Sequence, residues 1–507
     1  MNVPGSDPKP SNATSLKYAY VSQPVPTYCA CAASNGHINQ RRIRSNGPFI
    51  KFLKAFCIAT LIWVLFGKQF TSLVRHRLHW YLDTEVGRPD PRDGHVVKCI
   101  NGADWTSEGD IYKEAVSPKF SARRPSYDDD PPHTAKTSFK LPVNSDVLYL
   151  LSRGSLASGD VHVTALDHSG DDVIVDIVVS YWNDEALERA NVCQLERPES
   201  ECGVGIFTPK GNKWHKKRWD HDDYLKFNVT VLFPTSGKDS ARIINDFGTA
   251  MVLFSQRVDD LMDLVHFRKI TLLTINSPIS ATSLHAEMAH LSTINAPISG
   301  SFNISSVEDE TLIGNVRPQN HEDVDIEAGS EPGPPMPVSS LRLNTINAGI
   351  DADVALYNDV NREPSGFLIR NTNGPITGDV KLYSHQKSGG EFIIDAKSVN
   401  QAVNVNVSTQ PLESSLKLKA STISAPVTVA LAPAYEGDLS LSTFWGDVTV
   451  EQDGTVVDPS GKERKRNVYL DVKSKSKVLG YVSWDEERKE GSFVDISSFN
   501  APVAVHL

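Results

Sequence analysis

The sequence predicts an all-β protein. Its main part is a β-solenoid-like repeat domain of the parallel β-helix type, preceded by a β-rich unit and a single N-terminal transmembrane helix. Three observations predict this. One phrase recurs through the second half of the 507-residue chain: TINSPIS at 274–280, TINAPIS at 293–299, TINAGI at 345–350, NTNGPIT at 371–377, TISAPVT at 422–428 and SFNAPVAVHL at 498–507. Residues flanking each copy alternate between apolar and polar, the period of a strand with one buried face. Near the N-terminus, FIKFLKAFCIATLIWVLFGKQF at 49–70 carries an uncharged, mostly apolar run from Ala55 to Gly67.

In chain order, residues 1–48 are rich in Pro, Ser, Asn and Gly and are predicted to be a disordered tail. The 49–70 segment is predicted to span a membrane, with Lys51, Lys54 and Lys68 snorkelling to the interface to lengthen a short apolar run. A buried core helix is the competing reading. Arg41, Arg42, Arg44, Lys51 and Lys54 precede the run, and Lys68, Arg75 and Arg77 follow it. That bias places the N-terminus in the cytoplasm and the C-terminal part in the lumen or outside the cell, in the secretory pathway or at the cell surface. Residues 71–136 read as a polar stem. Residues 137–266 form the β-rich unit, with alternating, β-branched runs such as DDVIVDIVVSYW (171–182) and YLKFNVTVLFP (224–234). Within it, Met251, Phe254, Val258, Leu261 and Val265 recur at helical spacing, so 245–266 reads either as an amphipathic helix or as irregular rung structure.

Residues 267–507 are the repeat domain, with loop insertions at 305–340 and 452–467. Aligned on Asn, the corners fall at Asn276, Asn295, Asn347 and Asn373, with weaker copies at Asn400, Ser424, Gly446 and Asn500. Asn tolerates the left-handed backbone of a sharp turn. Pro278, Pro297, Pro375, Pro426 and Pro502 follow two residues later, where a missing N–H ends a ladder. After each corner a large-small-large-large pattern at period two begins the next strand, as in Ile298, Gly300, Phe302 and Ile304. Stacked units of this length form a solenoid in which equivalent Asn amides can make a hydrogen-bonded ladder. A β-sandwich of hairpins is the runner-up.

The net charge of −11 gives no global basic field, so no nucleic-acid partner is expected. Cys193 and Cys202 close the polar loop CQLERPESEC and are a candidate disulfide, leaving Cys99 odd. Candidate N-glycosylation sites are Asn228, Asn303 and Asn406. No nucleophile elbow, P-loop, zincin helix or dinucleotide fingerprint is present. RGSLASG (153–159) lacks the spacing of a nucleophile turn. Asp351 and Asp353 fall on the outer face of a repeat strand rather than in a nucleotide-binding fold. WHKKRWDHDD (214–223) and KERKR (462–466) read as exposed, solvated loops. No catalytic, cofactor-binding or metal-ligating residue is assigned.

The repeat units, together with FKLPVNSDVLYLLSRGSLASGDVHV (139–163) and the CQLE and GVGIFTP segments (193–196 and 203–209), resemble adhesin-like β-repeat domains of unknown function from bacteria and fungi. They look most like uncharacterised membrane-anchored proteins of mushroom-forming fungi. The resemblance covers about residues 137–507. It implies a β-repeat fold and no established reaction, and it carries over no catalytic residue. The expected function is non-enzymatic, membrane-tethered adhesin-like binding or scaffolding of a glycan or protein ligand. The alternative is a carbohydrate-active enzyme of the secretory pathway or cell wall: a glycosidase, lyase or glycosyltransferase.

Overall fold

The computed structural model describes residues 87–101, 105–107, 131–166, 170–209, 221–236, 241–306, 339–485 and 491–507. These residues are almost all β. The one α-helix among them is the five-residue Asp184–Glu188, started by the Asn183 side chain, which accepts from the Ala186 N–H at 2.8 Å.

Two facing stacks of parallel strands are built one coil at a time. In the first stack Val147–Arg153, Arg242–Ala250, Val265–Leu273, the second half of Ile279–Ser292, Ser339–Asn344, Ser365–Arg370, Glu391–Lys397 and Ser415–Thr422 lie side by side. In the second stack Ala157–Leu166, Phe254–Asp260, the first half of Ile279–Ser292, Ile298–Ile304, Ile350–Tyr357, Ile376–Tyr383, Val403–Thr409 and Val427–Ala430 do the same. A coil is therefore a first-stack strand, a tight corner, a second-stack strand and a return loop. Consecutive coils pair in parallel rather than as hairpins, which separates this arrangement from the runner-up sandwich.

Alternation drives the assembly. Inward side chains of both stacks merge into one apolar core that runs from Ile100 to Leu507. Large and small residues complement each other across it. Phe367 of the first stack lies over Gly378 of the second, where an added Cβ would meet the Phe367 ring at 3.5 Å. Two coils away, Gly300 has a φ of 153°, and a Cβ there would come within 2.4 Å of the Ala281 carbonyl oxygen. The small positions of the repeat are thus places where neighbouring backbone or ring atoms fill the space.

Both ends are closed by strands placed out of chain order. At the C-terminal end, Gly437–Thr443 and Val448–Glu451 form the outermost coil, and the final strands Phe493–Ser498 and Val503–His506 insert between them and the preceding coil. Antiparallel Lys477–Ser483 and Asn467–Lys473 then cover the first stack. At the N-terminal end, Val147–Arg153 and Ala157–Leu166 are flanked on their outer side by Glu201–Phe207 and Leu225–Pro234. Antiparallel strands cover these in turn, including His95–Asn101 and His133–Pro142. Capped ends remove the exposed edges that invite strand addition.

Several expectations are corrected. Segment 49–70 lies outside the described residues, and no helix among the described residues is long and apolar enough to cross a membrane. The transmembrane helix, and the single-pass topology and localisation built on it, are withdrawn. The uncharged run from Ala55 to Gly67 is well short of the roughly 20 residues a span needs. Residues 245–266 are not a helix but the strands Arg242–Ala250 and Phe254–Asp260 and the start of Val265–Leu273. The last of these strands runs across residue 266, the boundary drawn between the β-rich unit and the repeats. Cys193 bonds Cys99, not Cys202, which is free and buried. Cys99 and Cys193 are register partners on adjacent antiparallel strands, whereas Cys202 sits opposite Glu196. The disulfide joins the stretch read as a polar stem to the body of the fold.

Candidate functional site

The coils create two unlike edges. One edge carries the repeated corners. There Asn295 donates through Nδ2 to Oδ1 of Asn276 at 2.5 Å, Asn347 to Asn295 at 2.6 Å, Asn373 to Asn347 at 2.7 Å and Asn400 to Asn373 at 2.7 Å. All four bonds run in one direction along an exposed row. The proline carbonyls close the same turns. Pro297 accepts from the Ile279 N–H, Pro375 from Ile350, Pro426 from Val403 and Pro502 from Val427, at 3.0–3.2 Å, and Pro278 accepts from Gln256 at 2.9 Å.

Two features of this edge escaped the sequence. The residue two before each Asn is buried, and its side chain donates to a carbonyl of the neighbouring corner. Thr345 Oγ1 donates to Ala296 O at 3.2 Å, Ser398 to Gly374 O at 3.4 Å and Thr443 to Ala501 O at 2.8 Å. The recurrent Thr, Ser or Asn at this position was the available signal. The second is a register correction: Trp445, not Gly446, occupies the Asn position of its coil. Its N–H donates to Phe499 O, just as the Asn500 N–H donates to Ile423 O and Asn347 to Ile294 O. Gly446 instead lies against Ala501. Asn500 and Trp445 thus continue the corner row beyond Ser424.

The other edge carries the return loops, which share no phrase. Loops 358–364 and 384–390 frame a cavity of about 290 Å³ that Ser306 and Ser339 also line. Asn358, buried where the chain leaves Ile350–Tyr357, organises it. Its Nδ2 donates to Glu363 O at 2.7 Å, and its Oδ1 accepts from the Glu391 N–H at 2.8 Å. Asp359 is nearly enclosed. One carboxylate oxygen accepts from the His385 N–H at 2.8 Å and the Ser384 hydroxyl at 2.9 Å, and the other meets His385 Nδ1 at 3.0 Å. Burial pushes the Asp359 pKa up, but the His385 and Ser384 hydrogen bonds outweigh it and the net shift is downward. The contact between the Asp359 carboxylate and Nδ1 orients the exposed His385 ring and leaves its Nε2 facing away from the carboxylate. Tyr357 forms a wall, stacked on Tyr383 with ring centroids 5.1 Å apart and set 5.4 Å from the His385 ring. Arg362 reaches across to the Ser306 hydroxyl at 2.7 Å.

This cavity holds an Asp–His pair but not a hydrolytic triad. Ser384 points its hydroxyl at the carboxylate, and the Ser306 hydroxyl accepts from Arg362. Among the described residues no group of three or more His, Cys, Asp or Glu side chains is placed to hold a metal. The remaining candidates lie elsewhere. Asp353 is on an outer strand face, paired with Lys381 at 3.4 Å, and Asp351 is exposed on the same face. Of the WHKKRWDHDD loop, residues 214–220 lie outside the described residues. In KERKR, Arg464 is drawn into ion pairs with Asp458 at 3.0 Å and Asp485 at 2.8 Å, so the run is only partly solvated. Asn228 and Asn406 are exposed on second-stack strands, whereas Asn303 is half-buried with an enclosed Oδ1 that has no hydrogen-bond partner.

Residues 336–455 match a family described as a domain of unknown function, DUF7330. The match begins just before Ser339–Asn344 and ends just after Val448–Glu451, so it takes in the cavity and most of the corner row. No curated protein matches the chain. Among solved structures, a similar chain is described as a "putative cell adhesion protein" from Clostridium sporogenes. It is 8% identical, covers 74% of this chain and 99% of its own length, and has a TM-score of 0.14. A TM-score of that size carries no inference about this chain. The family match fits an uncharacterised domain and gives the resemblance no fungal source.

Proposed function

We propose that this chain is a non-enzymatic, adhesin-like binding protein whose return-loop edge recognises a glycan or protein ligand. One observation carries the reading: the two edges of the same coils differ. The corner edge repeats one solution, while the return loops diverge and converge on a polar cavity. Rigid repeats that place their variation on one edge are the usual arrangement for recognition. The Asp359–His385 pair, Arg362 and the Tyr357 wall supply donors, acceptors and a flat apolar face.

The glycosidase form of the carbohydrate-active alternative needs a carboxyl held protonated to donate to a leaving group, paired with a second carboxylate. Asp359 is shifted the opposite way. So is every other carboxyl among the described residues with a resolved shift: Asp90, Asp259, Asp453 and Asp458.

The test is a glycan-array and pull-down screen of the whole chain, repeated with Arg362→Ala/His385→Ala. Both side chains are exposed, so the fold is expected to survive. The reading expects at least one captured ligand to be lost from the double variant and no captured saccharide to be cleaved. Ligands that all survive the substitutions, or turnover of a bound saccharide, would overturn it.

A further inference from the structure

At its C-terminal end the corner row changes character. Phe444 is 61% exposed, Trp445 63% and Phe499 37%. Phe444 and Phe499 lie parallel, with centroids 4.9 Å apart and 2° between planes. The Trp445 ring stands at 86° to Phe444, 5.2 Å away. Corner geometry does not require these rings. Six other coils close the same turn with Ile275, Ile294, Ile346, Thr372, Val399 or Ile423 at the Phe444 position, and with Asn or Ser at the Trp445 position. The rings therefore expose apolar surface that the fold could omit.

We propose that Phe444, Trp445 and Phe499 form a second binding site, for a neutral oligosaccharide of equatorially linked hexopyranoses. Two flat walls meeting near a right angle suit a pyranose whose substituents are equatorial, since its axial C–H groups make both faces apolar. The neighbouring row, running back through Asn500, Ser424 and Asn400, is exposed and uncharged. Asn400, the last amide of the ladder, spends one N–H on Asn373 and keeps a second N–H and its Oδ1 for sugar hydroxyls, and the exposed Asn500 amide and Ser424 hydroxyl add further donors and acceptors. Successive coils step by about 4.8 Å, close to the length of one pyranose residue. The nearest charges, Asp447 and Lys475, neutralise each other at 3.2 Å. Lys475 sits at a hairpin tip docked on this corner, where its carbonyl accepts from the Val448 N–H at 3.0 Å and that of Ser476 from the Thr443 N–H at 2.9 Å. A protein partner would look for a broader apolar patch than three rings bounded by amides and an ion pair.

The site is independent of the loop-edge reading. The test is calorimetric titration of the whole chain with cellohexaose, chitohexaose and laminarihexaose, with axially linked maltohexaose as the contrast. The same titrations use F444I/W445N/F499I, which recasts the corners in the form of the other coils, and the single variant W445A in case the triple variant does not fold. Binding of at least one equatorially linked hexaose is expected, weakened about tenfold or more by either variant, corresponding to at least about 1.4 kcal/mol. The proposal is overturned if the wild type binds none of the three, if the variants bind as well as the wild type, or if sedimentation shows a wild-type dimer that the variants dissolve, since a second copy then covers the rings.

Discussion

Thr345 shows how much one hydroxyl does in these corners. It is buried and donates to Ala296 O. Thr345→Val keeps the shape but leaves that carbonyl without its donor, so a loss of about 1–3 kcal/mol is expected in urea unfolding. Asn347 is exposed and lies mid-ladder, and Asn347→Ala should cost less, about 1 kcal/mol. His266 provides a pH prediction. It stacks on His285 at 3.8 Å, and burial, then the His285 neighbour, holds its pKa down from 6.5 to about 3. The unfolded chain therefore binds the proton more readily, and stability falls as pH drops from 6.5 toward 3. His266→Phe keeps a ring in the stack without the titration and should shift acid unfolding to lower pH. At this scale the recurrence of Asn and Pro marked the corners, but no corner Asn has the left-handed backbone expected of it; the ladder Asn act through their amides on the next coil. The Trp445 register was not readable, because an Asn-to-Trp exchange hides the alignment. The Cys99–Cys193 bond depends on strand register, which spacing along the chain does not reveal.

At the scale of the element, residues 245–266 show where pattern misleads. Met251, Phe254, Val258, Leu261 and Val265 are all in the core, as the periodicity implied. Two strands broken by tight turns can reproduce a three-to-four spacing, because each turn adds a residue or two to the alternation. The right residues were thus found, and of the two readings the helix fails while the rungs prove to be regular strands. The small positions at Gly300, Ala352 and Gly378 were legible as a narrow place, but not the ring that occupies it. Phe367→Ala should open a cavity opposite Gly378 and cost about 3–5 kcal/mol in chemical unfolding. The Cys99–Cys193 bond spans 94 residues. Cys99→Ser should cost about 2–4 kcal/mol and release His95–Asn101 to earlier hydrogen exchange than the central coils.

For the molecule as a whole, stacking creates surfaces that no single repeat contains. The cavity combines the ends of three strands, at Ser339, Tyr357 and Ser365, with Ser306 and two loops, brought together from positions 306 to 385. No local phrase announced it, because its residues become neighbours only once the coils are registered. The inserted C-terminal strands make the end coils interdependent. Deleting 491–507 should do more than remove a cap: it leaves Val448–Glu451 without its strand neighbour and Gly437–Thr443 held only by Lys477–Ser483, so loss of cooperative unfolding is expected by calorimetry.

The central claim is that the corner edge builds the scaffold and the return-loop edge recognises a ligand. Its most direct test is the ligand screen of the whole chain beside Arg362→Ala/His385→Ala. The account predicts unchanged unfolding for the double variant and loss of at least one ligand that the wild type captures. Retention of every captured ligand by a correctly folded double variant would contradict it.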